Sequence, residues 1–156
     1  MKNAFSKQTI ALASDHAGFR YKEKIKAWLQ AHGYRVKDFG TDSGQPVDYP
    51  LFIYPAAKAV AGGKCGLGIV LGGSGNGEAM VANKVKGIRC AVCWNNRSAR
   101  LAREHNDANM IALGQRLISL KTALAIVRSW LGAEFKRGRH LRRIREMQKV
   151  ECRMQN

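Results

Sequence analysis

Short apolar runs alternate with helical patterns along the whole chain, the arrangement of a parallel sheet covered by helices. Thr9-Ile-Ala-Leu-Ala13 reads as a first strand and ends in the polar group Ser14-Asp15-His16. A helix follows, with Phe19, Lys22, Ile25, Trp28 and Leu29 at helical spacing and Gly33 as its C-terminal cap. Tyr34 to Phe39 reads as a second strand, running into a turn from Gly40 to Pro46. The next helix should begin near Pro50, because proline suits a first helical turn. Pro55 is awkward inside it, since an interior proline loses a hydrogen bond and crowds the preceding turn. The pattern there predicts a later start or a kink, and Gly62-Gly63 as the stop.

Leu67 to Leu71 forms the third strand, followed by Gly72-Gly-Ser-Gly-Asn-Gly77 and a helix from about Glu78. Ile88 to Trp94 is the fourth strand, Ser98 to His105 a helix, and Met110 to Leu113 the fifth strand. Leu120, Leu124, Val127 and Leu131 mark the inward stripe of a long helix, and a basic helix begins near Arg139. No repeat, low-complexity tract or linker divides the chain. The expected fold is α/β: a three-layer sandwich with a five-stranded parallel, Rossmann-like sheet and a C-terminal helical arm, in a single domain over 1–156.

Size and composition fit that picture. The chain has 156 residues, 46% of them hydrophobic and 24% charged, enough for a real core and ordinary for a globular protein. No apolar run is long enough for a bilayer. The start, MKNAFSKQ, lacks the apolar stretch of a secretory leader. A soluble cytoplasmic protein is expected, without a membrane partner.

The charge changes the picture more. Net charge is +16, which raises nucleic-acid binding, anionic metabolites or a merely basic surface as readings. Residues 136–156 hold eight Lys/Arg against two Glu, a net of +6. Lys22, Lys24 and Lys26 fall where a helix would show its solvated face. No zinc finger, RNA-binding aromatic signature or helix-turn-helix supports the nucleic-acid reading.

The cysteines are Cys65, Cys90, Cys93 and Cys152. Cys90-Ala-Val-Cys93 resembles a redox or metal pair, but on a strand residues three apart face opposite sides. No second Cys/His pair stands at zinc spacing. Buried thiols are expected, with no metal site and no disulfide framework.

In an open parallel sheet, ligands bind outside the carboxyl ends of the strands, near the reversal of strand order. Asp15 and His16 follow the first strand, the glycine-rich loop the third, Asn95 and Asn96 the fourth, and Gly114-Gln-Arg116 the fifth. His105-Asn106-Asp107, shortly before the fifth strand, are grouped with them at one edge. Four of the six residues from Gly72 to Gly77 are glycine, so backbone N–H groups can approach an anion at a helix start. The loop is neither a Walker A loop nor a GxGxxG fingerprint, and a developing oxyanion suits it better. Glu78 follows directly. It is either a carboxylate complementing the helix dipole or a general base aimed above the loop.

The run Gly72 to Arg89, GGSGNGEAMVANKVKGIR, resembles the signature of the ribose-5-phosphate isomerase type B family, which includes galactose-6-phosphate isomerase subunits. Similar segments occur in order at Ala13–Phe19, Asp48-Tyr49-Pro50, Ala102–Asn109, Ala112–Arg116 and Gly138–Arg143. In much of that family a cysteine base stands where this chain has Gly72. The branch carrying GGSGNGE uses the glutamate, so the resemblance makes Glu78 the base; Cys65 is too far upstream to substitute.

The resemblance further implies aldose–ketose isomerisation through a cis-enediolate in the pentose phosphate pathway. Ribose 5-phosphate and ribulose 5-phosphate lead as substrates, with hexose 6-phosphates of the allose or galactose type and tetrose phosphates as alternatives. Asp15 and His105 would open the sugar ring, a transfer suited to histidine. Ser74 and the amides of Gly73, Gly75, Asn76 and Gly77 would stabilise the charged oxygen. Asn106 would orient hydroxyls, and Tyr49 would line the pocket. Arg116, Arg139, His140 and Arg143 would bind phosphate with His16 nearby, guanidinium groups gripping it through paired hydrogen bonds. No cofactor is implied. The arm from about 136 would cross to a neighbouring subunit, giving a homodimer or tetramer with shared sites. His32 has no such role and reads as a surface or helix-end residue.

Overall fold

A five-stranded, all-parallel sheet forms the middle layer of the protein, whose computed structural model describes residues 8–154. Residues 1–7, on which the leader reading rests, lie outside them. The strands are β1 (Thr9–Ser14), β2 (Arg35–Asp38), β3 (Leu67–Gly72), β4 (Cys90–Val92) and β5 (Met110–Gly114), in the spatial order β2-β1-β3-β5-β4. The helices are α1 (Phe19–Ala31), α2 (Pro50–Ala61), α3 (Asn76–Asn83), α4 (Asn96–Asn106), α5 (Leu120–Gly132) and α6 (Arg139–Arg153). This is the expected α/β sandwich with its C-terminal helix.

The alternation of side chains along each strand builds two different cores. Ile10, Leu12, Ile69, Leu71, Ile111 and Leu113 face α1, α4 and α5. Ala11, Ala13, Val70 and Ala112 face α2 and α3, which answer with Ala56, Ala57, Ala59, Ala79 and Ala82. One interlayer is thick and branched, the other thin and alanine-rich. Cys90 and Cys93 fall into opposite cores, as their spacing requires. All four thiols are free, and burial pushes that of Cys93 up to about 12.

α2 runs unbroken from Pro50 through Pro55 to Ala61. Pro50 occupies the first turn as expected. The carbonyl that Pro55 cannot bond belongs to Leu51, a residue 70% exposed, so water can take that acceptor.

Lys22 overturns its placement on a solvated face: it is fully buried. Its stem lies among core side chains, and its Nζ donates to Asp38 at 2.6 and 2.8 Å and to Glu23 at 2.8 Å. Lys24 is exposed, whereas Lys26 is half-buried and joins the same cluster at 2.7 Å from Asp38. Burial alone would raise the Asp38 carboxyl, but hydrogen bonds from Lys22, Lys26 and the Gly40 N–H hold it below the usual range. A depressed carboxyl stabilises the fold above its unfolded value and loses that contribution as pH falls through its folded one. Asp38→Ala leaves the buried ammonium with Glu23 alone, so urea unfolding should show a loss of about 1–3 kcal/mol at pH 7. The difference should shrink in acid.

Candidate active site

Strand order reverses between β1 and β3: the chain leaves β1 for β2 on one side and β3 for β4 on the other. That reversal opens a crevice at the carboxyl edge. β1 delivers Asp15 and His16 to it, and β3 delivers the glycine loop. Gly75 takes a positive φ of 82° and caps α3, which therefore starts at Asn76, two residues earlier than expected.

Glu78 is the third residue of α3 and is 4% exposed. Its carboxylate lies near its own N–H and that of the cap, Gly75, whose dipoles favour its charged form at the helix start. The helix-capping reading and the base reading thus describe one conformation. A Cβ built on Gly72 would overlap all three atoms of the Glu78 carboxyl group; the carboxylate fills the place a side chain at Gly72 would take. Burial raises the Glu78 pKa above the ordinary carboxylate value, the backbone N–H groups oppose this, and the charge of Asp15 adds to the rise.

The neighbours are fixed by short contacts. Asp15 is buried, and its Oδ1 accepts the Gly18 N–H at 3.0 Å. His16 Nδ1 accepts the Val47 N–H at 3.1 Å, which leaves Nε2 to carry the proton. Tyr49 lies against Gly77, where a Cβ would meet its ring at 2.7 Å. Ser74 Oγ accepts the Asn76 N–H at 3.2 Å. The Arg116 guanidinium rests over Gly73, with Nη1 3.2 Å from a Cβ built there.

Gln115, which the sequence places at the carboxyl edge without a role, makes two bonds there. Its N–H donates to Gly72 O at 2.9 Å, and its Oε1 accepts the Tyr21 N–H at 2.9 Å. Its partner is 94 residues away, so no local pattern could reveal it.

His105 and Asn106 correct the expectation of one common edge. They end α4, which runs back across the sheet, and they stand at the amino edge where β5 begins. The Asn106 carbonyl accepts from Arg89 just before β4, and the Asn109 carbonyl accepts the Gly68 N–H near the start of β3. The length of β3 separates them from the glycine loop, about 17 Å for six residues. Asn95 and Asn96, at the carboxyl edge, cap and begin α4.

α6 brings the remaining residues to the amino edge. His140 stacks on His105 with centroids 4.2 Å apart and planes at 11°. It is buried, and burial together with His105, Arg139, Arg143 and Lys136 pushes its pKa down. Arg139 and Arg143 are exposed, one turn apart. The residues expected at the site therefore fall into two groups at opposite edges of the sheet. Asp15, His16, Tyr49, the glycine loop, Glu78 and Arg116 form one; His105, Asn106, Arg139, His140 and Arg143 form the other.

Cys65 lies just before β3, at the opposite end of that strand from the loop, and burial raises its thiol. His32 ends α1, exposed and stacked on Trp28. A cleft of ≈ 650 Å³ between α1 and α5, lined by Trp28, His32 and Arg128 among others, contains none of the residues of either group. No described helix is long and apolar enough to cross a membrane.

Residues 10–147 match the model of the ribose/galactose isomerase family. Ribose-5-phosphate isomerase B of Escherichia coli K12 is 44% identical over 144 residues, 92% of this chain and 97% of that protein. The solved structure of ribose-5-phosphate isomerase B from Clostridium thermocellum is 48% identical, with a TM-score of 0.93 over 94% of this chain and 99% of that one. That of the Mycoplasma genitalium enzyme, which holds bound ribulose-5-phosphate, is 36% identical with a TM-score of 0.89, covering 92% and 95%. Matched in sequence and in backbone over nearly its whole length, the chain belongs to the ribose/galactose isomerase family.

Proposed function

We propose that this chain interconverts ribose 5-phosphate and ribulose 5-phosphate by proton transfer through a cis-enediolate, with Glu78 as the base. The observation that carries the reading is the buried Glu78 carboxylate, held beside Asp15 in the space left by Gly72. Asp15 and His105 open the ring. Glu78 removes the C2 proton as charge develops on O1, then returns it to C1 while the O2 proton passes to O1, leaving the carbonyl at C2. The amide of Asn76 is already engaged by Ser74 Oγ, which leaves the oxyanion role to those of Gly73, Ser74, Gly75 and Gly77.

A five-carbon sugar phosphate cannot touch both groups of residues in one chain. The active unit is therefore a symmetric homodimer in which the partner subunit's His105, Asn106, Arg139 and Arg143 face Glu78, with Arg116 and His16 completing the phosphate site. A C2 dimer builds two such sites. The four thiols suit a reducing cytosol, and the substrates place the enzyme in the pentose phosphate pathway.

A coupled assay over pentose, hexose and tetrose phosphates tests the substrate. Turnover of a hexose 6-phosphate without that of any pentose phosphate would move the assignment. Mixing tests the shared site: Glu78→Gln and Arg139→Ala/Arg143→Ala are each nearly inactive alone, but exchanged together they should regain up to about a quarter of wild-type activity. No gain on mixing would rule out sites built from two chains.

A further inference from the structure

Gln115 stands where three functional segments meet. Beyond the last paired residues of β3 and β5, Gly72 and Gly114, the ladder continues through backbone bonds. The Gln115 N–H donates to Gly72 O at 2.9 Å, and the Arg116 N–H to Gly73 O at 3.0 Å. The Gln115 side chain turns the other way and accepts the Tyr21 N–H at 2.9 Å. Tyr21 is the third residue of α1, and the cap of that helix, Gly18, offers no side-chain acceptor. Such N–H groups need a partner from outside the helix, and Gln115 supplies it. The same stretch carries Asp15, which holds the Gly18 N–H and sits on β3 through its own N–H to Leu71 O at 3.3 Å. Gly18 presses so close to Leu71 that a Cβ would overlap its backbone.

We infer that Gln115 is a positioning residue of the isomerase, a clamp that fixes the start of α1, and with it Asp15, against the strand end that carries the glycine loop. It touches no substrate. Its side chain thereby helps to set the distance from Asp15 to Glu78, while the backbone bonds of residues 115 and 116 hold the strand end. The inference rests on the reading of Glu78 as base, and the readouts keep the two apart.

The experiment compares Gln115→Met, which keeps the bulk and loses the acceptor, with Gln115→Glu, which keeps an acceptor at a helix start. Gln115→Ala takes the place of the methionine variant if that chain does not fold. Catalysis depends steeply on placement, so kcat/KM of Gln115→Met should fall about 10- to 100-fold. The acid limb of its pH profile should move to lower pH, because Asp15 drawn away from Glu78 no longer raises that carboxyl. Gln115→Glu should restore both. Tyr21→Phe is the control: it cuts the neighbouring Tyr21 Oη–Ile118 O tether of 2.9 Å and should lower Tm without moving the limb.

A Gln115→Met protein with wild-type kcat/KM and an unmoved limb would overturn the clamp. So would a Gln115→Glu protein as impaired as Gln115→Met, or a Tyr21→Phe protein whose limb moves equally. Failure of the base reading would show differently, as a wild-type profile without an acid limb attributable to Glu78.

Discussion

Glu78→Gln is expected to lower kcat by about 10²- to 10⁴-fold, the range a positioned general base contributes, with KM nearly unchanged. The amide keeps the shape of the carboxylate, so the loop should stay in place. Stability should not follow activity. The folded pKa of Glu78 is raised, so the stabilisation from its protonation is full below the unfolded value and is lost as pH rises through the folded one. At pH 7 the native state holds a buried carboxylate at a cost, and glutamine removes it. Tm at pH 7 should therefore hold or rise while turnover collapses, and the Tm advantage should fade in acid. Thermal scans beside a pH–rate profile check both halves, and the wild-type acid limb should lie above the ordinary carboxylate range. A variant retaining a wild-type kcat would remove Glu78 from the mechanism.

Gly72→Ala should be nearly as damaging for a different reason. Its methyl group would enter the volume of the Glu78 carboxyl group. Either the carboxylate leaves its position or the loop shifts, and kcat should fall about 10²-fold, as for other small misplacements of a reacting group. Overpacking should also cost about 1–3 kcal/mol. Gly33→Ala separates the two effects. Gly33 has a φ of +82° and open space around a Cβ, so alanine there costs about 1–2 kcal/mol through backbone strain alone. It should leave kcat per folded molecule intact. If both substitutions reduced kcat equally, the collision with Glu78 would not be the cause.

Most elements were legible because their periodicity and punctuation agree. Gly33 does close α1 and Pro50 does open α2, and the strand at Leu67 runs straight into its glycine loop. Boundaries moved where hydrogen bonding overrode composition: β4 pairs only over Cys90–Val92, although the apolar run is longer. Lys22 misled because the charge at the end of a long stem says nothing about the stem. Asp38, on a neighbouring strand, together with Glu23 makes its burial tolerable. His105 and Asn106 misled more consequentially. Residues just before a parallel strand lie at the edge opposite those just after one, a rule of the topology that their chemistry does not announce. The motif was readable, but its division between the two edges was not. Gln115 lay beyond reach, since its meaning comes from Tyr21.

The thin interlayer beneath α2 and α3 has a consequence for how this protein can vary. Those helices carry Glu78 and the wall residue Tyr49, and they sit close to the sheet because Ala11, Ala13 and Ala112 present only methyl groups. A larger side chain at any of the three would act as a shim, lifting the helices and tilting Glu78, the proposed base, away from its crevice. Selection for turnover therefore reaches into these alanines, although none lies in either group of site residues. The opposite interlayer packs through the branched side chains Ile10, Leu12, Ile69, Leu71, Ile111 and Leu113 instead.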